Sequence, residues 1–153
     1  MKRILVILVV CLAVVMPITA AEPVSDVGDI SVGLALGVPS GVSAKYVFDD
    51  NISFDAVVGY GLSAKPVVLR TDALYGFDKF TIGTVDLYPY VGGGLNVGFF
   101  NGFSFGIDVP AGISYHFDNP AVEIFLEVVP GITVIPFDFS FSGGIGARYT
   151  LDL

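Results

Sequence analysis

The sequence predicts an all-β chain, an eight-stranded antiparallel up-and-down transmembrane β-barrel. Three observations predict it. Apolar residues alternate with polar or small ones at period two in eight successive segments. The chain is 54% hydrophobic, yet after its first residues no apolar run comes near the roughly 20 residues of a membrane-crossing helix. Its aromatic residues collect near the two ends of the apolar faces, where a barrel meets the two membrane surfaces.

The first 21 residues read as a signal peptide. Met1-Lys2-Arg3 is a short positive start, Ile4 to Met16 is unbroken apolar sequence, Pro17 interrupts it, and Thr19-Ala20-Ala21 offers small residues before Glu22. The apolar run is shorter than a spanning helix, which weighs against an uncleaved anchor. Cleavage is expected after Ala20 or Ala21, leaving residues 22–153 as one outer-membrane barrel domain. Cys11 is the single cysteine and lies inside this run. Val10 before it is a poor match to a lipoprotein signal, and the mature chain has no disulfide framework.

Eight strands follow. Asp29 to Val38 presents Ile30, Val32, Leu34 and Leu36 on one face and Ser31, Gly33 and Ala35 on the other. Pro39-Ser40-Gly41 is a turn signal, and Val42 to Phe48 continues the alternation. Asp49-Asp50-Asn51 turns again into Ile52 to Leu62. The fourth strand is Val67 to Phe77, followed by a longer connection, Asp78 to Asp86. The fifth is Leu87 to Phe99, and Asn101-Gly102 marks a loop. The sixth, Phe105 to Phe117, ends at the turn Asp118-Asn119-Pro120. The seventh and eighth are Ala121 to Ile132 and Phe139 to Leu153. A soluble sandwich or lipocalin-like barrel shares this alternation. In every strand here the apolar face is long and unbroken, which leaves little sequence for a wetted exterior. Pro89, Pro110 and Pro130 fall in or beside strands, where bulges or strand ends are expected because proline lacks the N–H of a ladder bond.

Numbered alternately up and down, the strands sort their outward aromatics into two belts. Tyr46, Phe48, Tyr75, Phe77, Tyr115, Phe117 and Tyr149 fall at the lower edge, and Tyr60, Phe99, Phe105 and Phe139 at the upper. The inward face carries Lys45, Asp55, Arg70, Asp72, Asp108, His116, Glu123, Glu127 and Arg148. An eight-stranded barrel is just wide enough to be filled by side chains, so these groups are expected to pair as a lumen charge network, with Tyr88, Tyr90 and Phe125 beside them.

No catalytic, cofactor or metal site is expected. Ser114, His116 and Asp108 share one straight strand, which a hydrolytic triad cannot use. One histidine without a mature cysteine does not make a zinc site. Gly92-Gly93-Gly94 lacks the strand–loop–helix context of a phosphate loop. Without Lys2 and Arg3, 5 basic residues face 15 acidic ones, so the mature charge is −10. That balance excludes nucleic acid as a partner.

The final residues, Gly146-Ala147-Arg148-Tyr149-Thr150-Leu151-Asp152-Leu153, resemble the C-terminal assembly signal of outer-membrane barrels, with Gly146, Tyr149, Leu151 and Leu153 as its positions. Leu153 stands where phenylalanine is usual. Further segments resemble a family of small OmpA-like and OmpX-like barrels of unassigned function from spirochaetes and other double-membraned bacteria. They are Gly37 to Tyr46, Pro89 to Gly94, Tyr115-His116-Phe117, Glu123 to Gly131 and Gly143 to Tyr149. The resemblance implies an eight-stranded outer-membrane barrel and carries no catalytic residue. The expectation is a non-enzymatic structural or surface-interaction protein with a plugged lumen, whose partners are outer-membrane lipid, the barrel assembly machinery and an unidentified extracellular protein ligand. A narrow pore is the alternative. The turns near Pro39, Ala64, Asn101 and Pro136 are short for an adhesin.

Overall fold

The computed structural model describes residues 26–61, 67–99 and 102–151. The expected signal peptide, the turns near Ala64 and Asn101, and Leu153 lie outside the described residues. All described elements are strands: β1 (Ile30–Gly37), β2 (Ser40–Val47), β3 (Ile52–Tyr60), β4 (Val67–Gly76), β5 (Phe80–Ile82), β6 (Val85–Phe99), β7 (Ser104–Asp108), β8 (Ala111–Asp118), β9 (Ala121–Ile135) and β10 (Asp138–Leu151). Every pairing is antiparallel. β1 to β4 pair in sequence, β4 meets β6, and β6 meets β7 and β8, which both meet β9. β9 pairs with β10, and β10 returns to β1, so the sheet closes as a ring of eight strands with β7 and β8 sharing one place.

β7 and β8 are one strand in all but its hydrogen bonds. Asp108 faces Gly131 and Ala111 faces Val128, the same register on β9. Gly94–Asp108 and Val91–Ala111 keep one register on β6. Val109 N–H donates to Pro130 O at 2.9 Å and Gly92 N–H to Pro110 O at 2.8 Å. Neither proline can return the bond, so two adjacent rungs each lose half their bonding. Pro110 thus lies at a strand end, as expected, between the last residue of β7 and the first of β8; at the other two prolines neither a bulge nor a strand end is found. Pro89 and Pro130 sit in register, opposite Ile113 and Phe141. The register shift comes between Phe105 and Gly106, against β9.

The connection Asp78 to Asp86 also holds more than a loop. β5 folds back on the start of β6 through Gly83, whose φ of 65° suits glycine. Thr81 Oγ1 and Lys79 Nζ donate to Asp86 at 2.6 and 2.9 Å and hold its carboxyl below the ordinary carboxylate range.

Ladder partners fix the ring's stagger. From Arg148 they run through Gly33, Ser43, Val57, Arg70, Asn96, Gly106 and Thr133, and return to the same strand at Asp138, ten residues away. Ten residues of rise against eight strand spacings set a tilt of about 40°.

The alternation sorts polarity against the usual rule for a protein in water. Outward residues such as Leu34, Val42, Val58, Leu95, Ile107, Leu126 and Ile145 are exposed. Asp55, Arg70, Asp72, Asp108, Glu123, Glu127 and Arg148 are buried inside. Apolar packing within is slight, a cluster of Ala35, Val57 and Phe125.

Candidate functional site: the charged lumen

The stagger brings together inward residues that lie far apart in sequence. Arg148, on β10, donates from Nη2 to Asp55 Oδ2 on β3 at 2.6 Å and from Nε to Ser43 Oγ on β2 at 2.8 Å. Its Nη1 lies 3.5 Å from Glu123 Oε2, and its guanidinium carbon stands 3.9 Å from the centre of the Phe125 ring. Lys45 Nζ meets Glu123 Oε1 at 2.8 Å. Arg70 donates from Nε to Asp72 Oδ2 at 2.7 Å and from Nη2 to Glu127 Oε1. Tyr90 OH donates to Glu127 Oε2 at 3.1 Å.

Two of the expected network residues stand apart from these bridges. His116 Nε2 is 3.2 Å from Ser114 Oγ and 4.0 Å from Glu123 Oε1, and its ring stacks edge-on with Tyr88. Asp108 meets an amide: Asn96 Nδ2 donates to its Oδ2 at 2.7 Å. Ser43, Tyr90 and Asn96 complete the network, although sequence reading gave them no partner. Parity alone places them inward, and only the register shows what each reaches.

The network lies between two vestibules. The lower, of about 530 Å³, is walled by Lys45, Tyr88, Tyr90, Ser114 and His116, with Asp26, Asp49, Asp50 and Asp78 at its mouth. The upper, of about 340 Å³, is lined by Arg70, Asn96, Asp108, Thr133, Ser140 and Ser142. Packing between them is close. A Cβ on Gly146 would lie within 3.0 Å of the Phe125 ring, so a glycine there is what lets the ring lie flat beneath Arg148. Among the described residues no group of three or more metal-binding side chains converges.

Tyr90→Phe isolates one link. Glu127 Oε2 then loses its phenolic donor inside the ring, with an expected loss of about 1–3 kcal/mol in unfolding free energy. Chemical denaturation in detergent reads it, with the strand signal in circular dichroism unchanged before unfolding.

The aromatic residues expected in belts lie at the two ends of the outward face. Tyr46, Phe48, Tyr75, Phe77 and Tyr149 are exposed below, and Tyr60, Phe99 and Phe139 above. Phe105 and Tyr115 are half-buried. Phe117 departs from expectation: it is buried, packed edge-on against Tyr115 with ring centres 4.7 Å apart. Of the expected C-terminal signal, Gly146 is buried, Tyr149 is exposed and Leu151 pairs with Ile30. Comparison with protein-family models, curated proteins and solved structures returns no match to this chain.

Proposed function

We propose that this chain is an integral outer-membrane β-barrel, non-enzymatic, with a structural or surface-interaction role and a lumen closed by its own side chains. The observation that carries this reading is the inverted polarity, charges inside a ring whose outward face is aliphatic. In water that outer face would be a very large exposed apolar patch. In a bilayer it is the lipid-facing surface. The dimensions agree. Phe139 and Tyr149 lie ten residues apart on β10, about 33 Å along the strand and about 25 Å along the barrel axis, close to the height of the apolar band in such barrels. The likeness of several segments to small OmpA-like and OmpX-like barrels supports the same reading. In it the signal peptide exports the chain, the barrel assembly machinery inserts it, and both ends face the periplasm.

The two vestibules give a narrow pore a specific observation of its own, since they approach the network from opposite ends. The network favours the closed lumen. Arg148, Asp55, Glu123, Arg70, Glu127 and Phe125 fill the section between the vestibules, so no open conductance is expected. Purified protein folded into a planar bilayer should stay silent while its gel mobility shifts on heating. Reproducible unitary currents, altered by Glu127→Ala, would establish the pore instead. Recovery as a detergent-free soluble monomer from the periplasm would end the barrel reading.

A further inference from the structure

The rim of the upper vestibule is uneven. β1 and β2 turn at Val38 and Pro39, where Val38 N–H donates to Gly143 O at 3.2 Å. Above that level β10 continues through Asp138–Ser142, paired with β9 and with no described strand on its other side. The parity that sends Gly143 O toward Val38 turns the backbone N–H and C=O of Phe141 into the same gap. Phe139 N–H also turns that way and is capped by Asp138 Oδ1 at 2.9 Å.

Polarity changes sides along this edge residue by residue. Phe139 and Phe141 point outward and are 76% and 77% exposed. Ser140 and Ser142 line the vestibule. Just inside is a cradle: a Cβ on Gly131 would lie within 3.0 Å of both Asp108 Oδ1 and Ser140 Oγ. The absent side chain lets a carboxylate oxygen and a hydroxyl come together there, beside the backbone oxygen of Ile107. Asn96 holds the other Asp108 oxygen. The lumen also carries more carboxylates (Asp55, Asp72, Asp108, Glu123, Glu127) than cationic side chains (Lys45, Arg70, Arg148).

An open strand edge is not tolerated against hydrocarbon, so at the level of the upper aromatic belt it needs polar groups beside it. We propose that the upper vestibule takes the ammonium head of a membrane amphiphile, which enters sideways through the gap between the upper edge of β10 and the β1–β2 turn. Asp108 and Ser140 bind the ammonium over Gly131. The acyl chains lie outside, on Phe139 and Phe141. This inference rests on the membrane-barrel reading above.

The chain has no tryptophan, so an introduced one is the sole indole. Phe139→Trp, Ser142→Trp and Val68→Trp, each checked for heat-modifiable mobility, are folded into phosphatidylcholine vesicles containing phosphatidylethanolamine brominated on its acyl chains close to the headgroup. Ser142 and Val68 both line the vestibule, beside the gap and on the opposite strand β4. Ser142→Trp is expected to lose emission, less than Phe139→Trp does, while Val68→Trp keeps it. Moving the bromine to the phosphatidylcholine, or adding Asp108→Asn, should restore emission at position 142 alone. If Ser142→Trp does not fold, Thr133→Trp replaces it. Quenching at 139 but not at 142 overturns the inference and leaves the barrel standing. Equal quenching by both lipids at 142 overturns the ammonium assignment. Sedimentation as a dimer in detergent with no quenching at 142 gives the edge to a second copy and overturns the proposal. No quenching at 139 overturns the barrel reading itself.

Discussion

Arg148→Ala is expected to destabilise the folded protein by about 3–5 kcal/mol, because it strands buried carboxylates rather than deleting a neutral contact. Asp55 Oδ2 loses a 2.6 Å partner, Glu123 keeps Lys45 and the more distant His116, and Phe125 loses the cation over its ring. Arg148→Lys should recover part of the loss: one ammonium can reach Asp55 or Glu123, but it cannot fork to both and to Ser43. Equilibrium unfolding from lipid vesicles reads both variants. A loss below 1 kcal/mol for Arg148→Ala would show that the network contributes little to stability.

The second large effect is on the outside. On the membrane-barrel proposal, Leu95→Arg is expected to lower the yield of folding into liposomes, at a cost of roughly 2–4 kcal/mol, the range for arginine at the midplane of a barrel's lipid face. Asn96→Arg, one residue on, should fold. Leu95 points outward and is exposed, whereas Asn96 lines the upper vestibule beside Asp108, which would accept the new charge. Equal folding yields for the two variants would contradict the assigned faces.

The faces of the strands were legible in the sequence because burial is strictly two-sided in a closed sheet. Ser31, Asp55, Arg70, Glu123 and Arg148 read as inward by parity, and the structure buries each of them. Partnership was not legible. Arg70 and Glu127 lie 57 residues apart, and only the ten-residue stagger of the ring places one against the other. Asn96 meets Asp108 through the local β6–β7 register, and Tyr90 meets Glu127 across Gly112, the ladder partner of both. β5 escaped because three exposed residues carry too little alternation to register. The prolines were legible in part. At Pro110 a strand end answers the missing N–H, while at Pro89 and Pro130 the chain drops the bond in place instead of inserting a residue. Phe117 keeps the outward parity of Tyr115 but is buried, since parity sets the side of the sheet a ring points to and not whether the ring is covered.

The position of Arg148 on the final strand bears on the order of assembly. Its partners sit on β2, β3 and β9, up to 105 residues earlier in the chain. A fragment that lacks β10 leaves Asp55 without its hydrogen-bonded guanidinium and Glu123 without its second cation. A nascent sheet with its seam open therefore has to keep those carboxylates wet, and the interior dries only when the last strand arrives. Closure and charge neutralisation become one event. A truncated chain would carry an unsealed, hydrated cleft, which gives a surveillance protease a physical mark of incompleteness before any strand has misfolded.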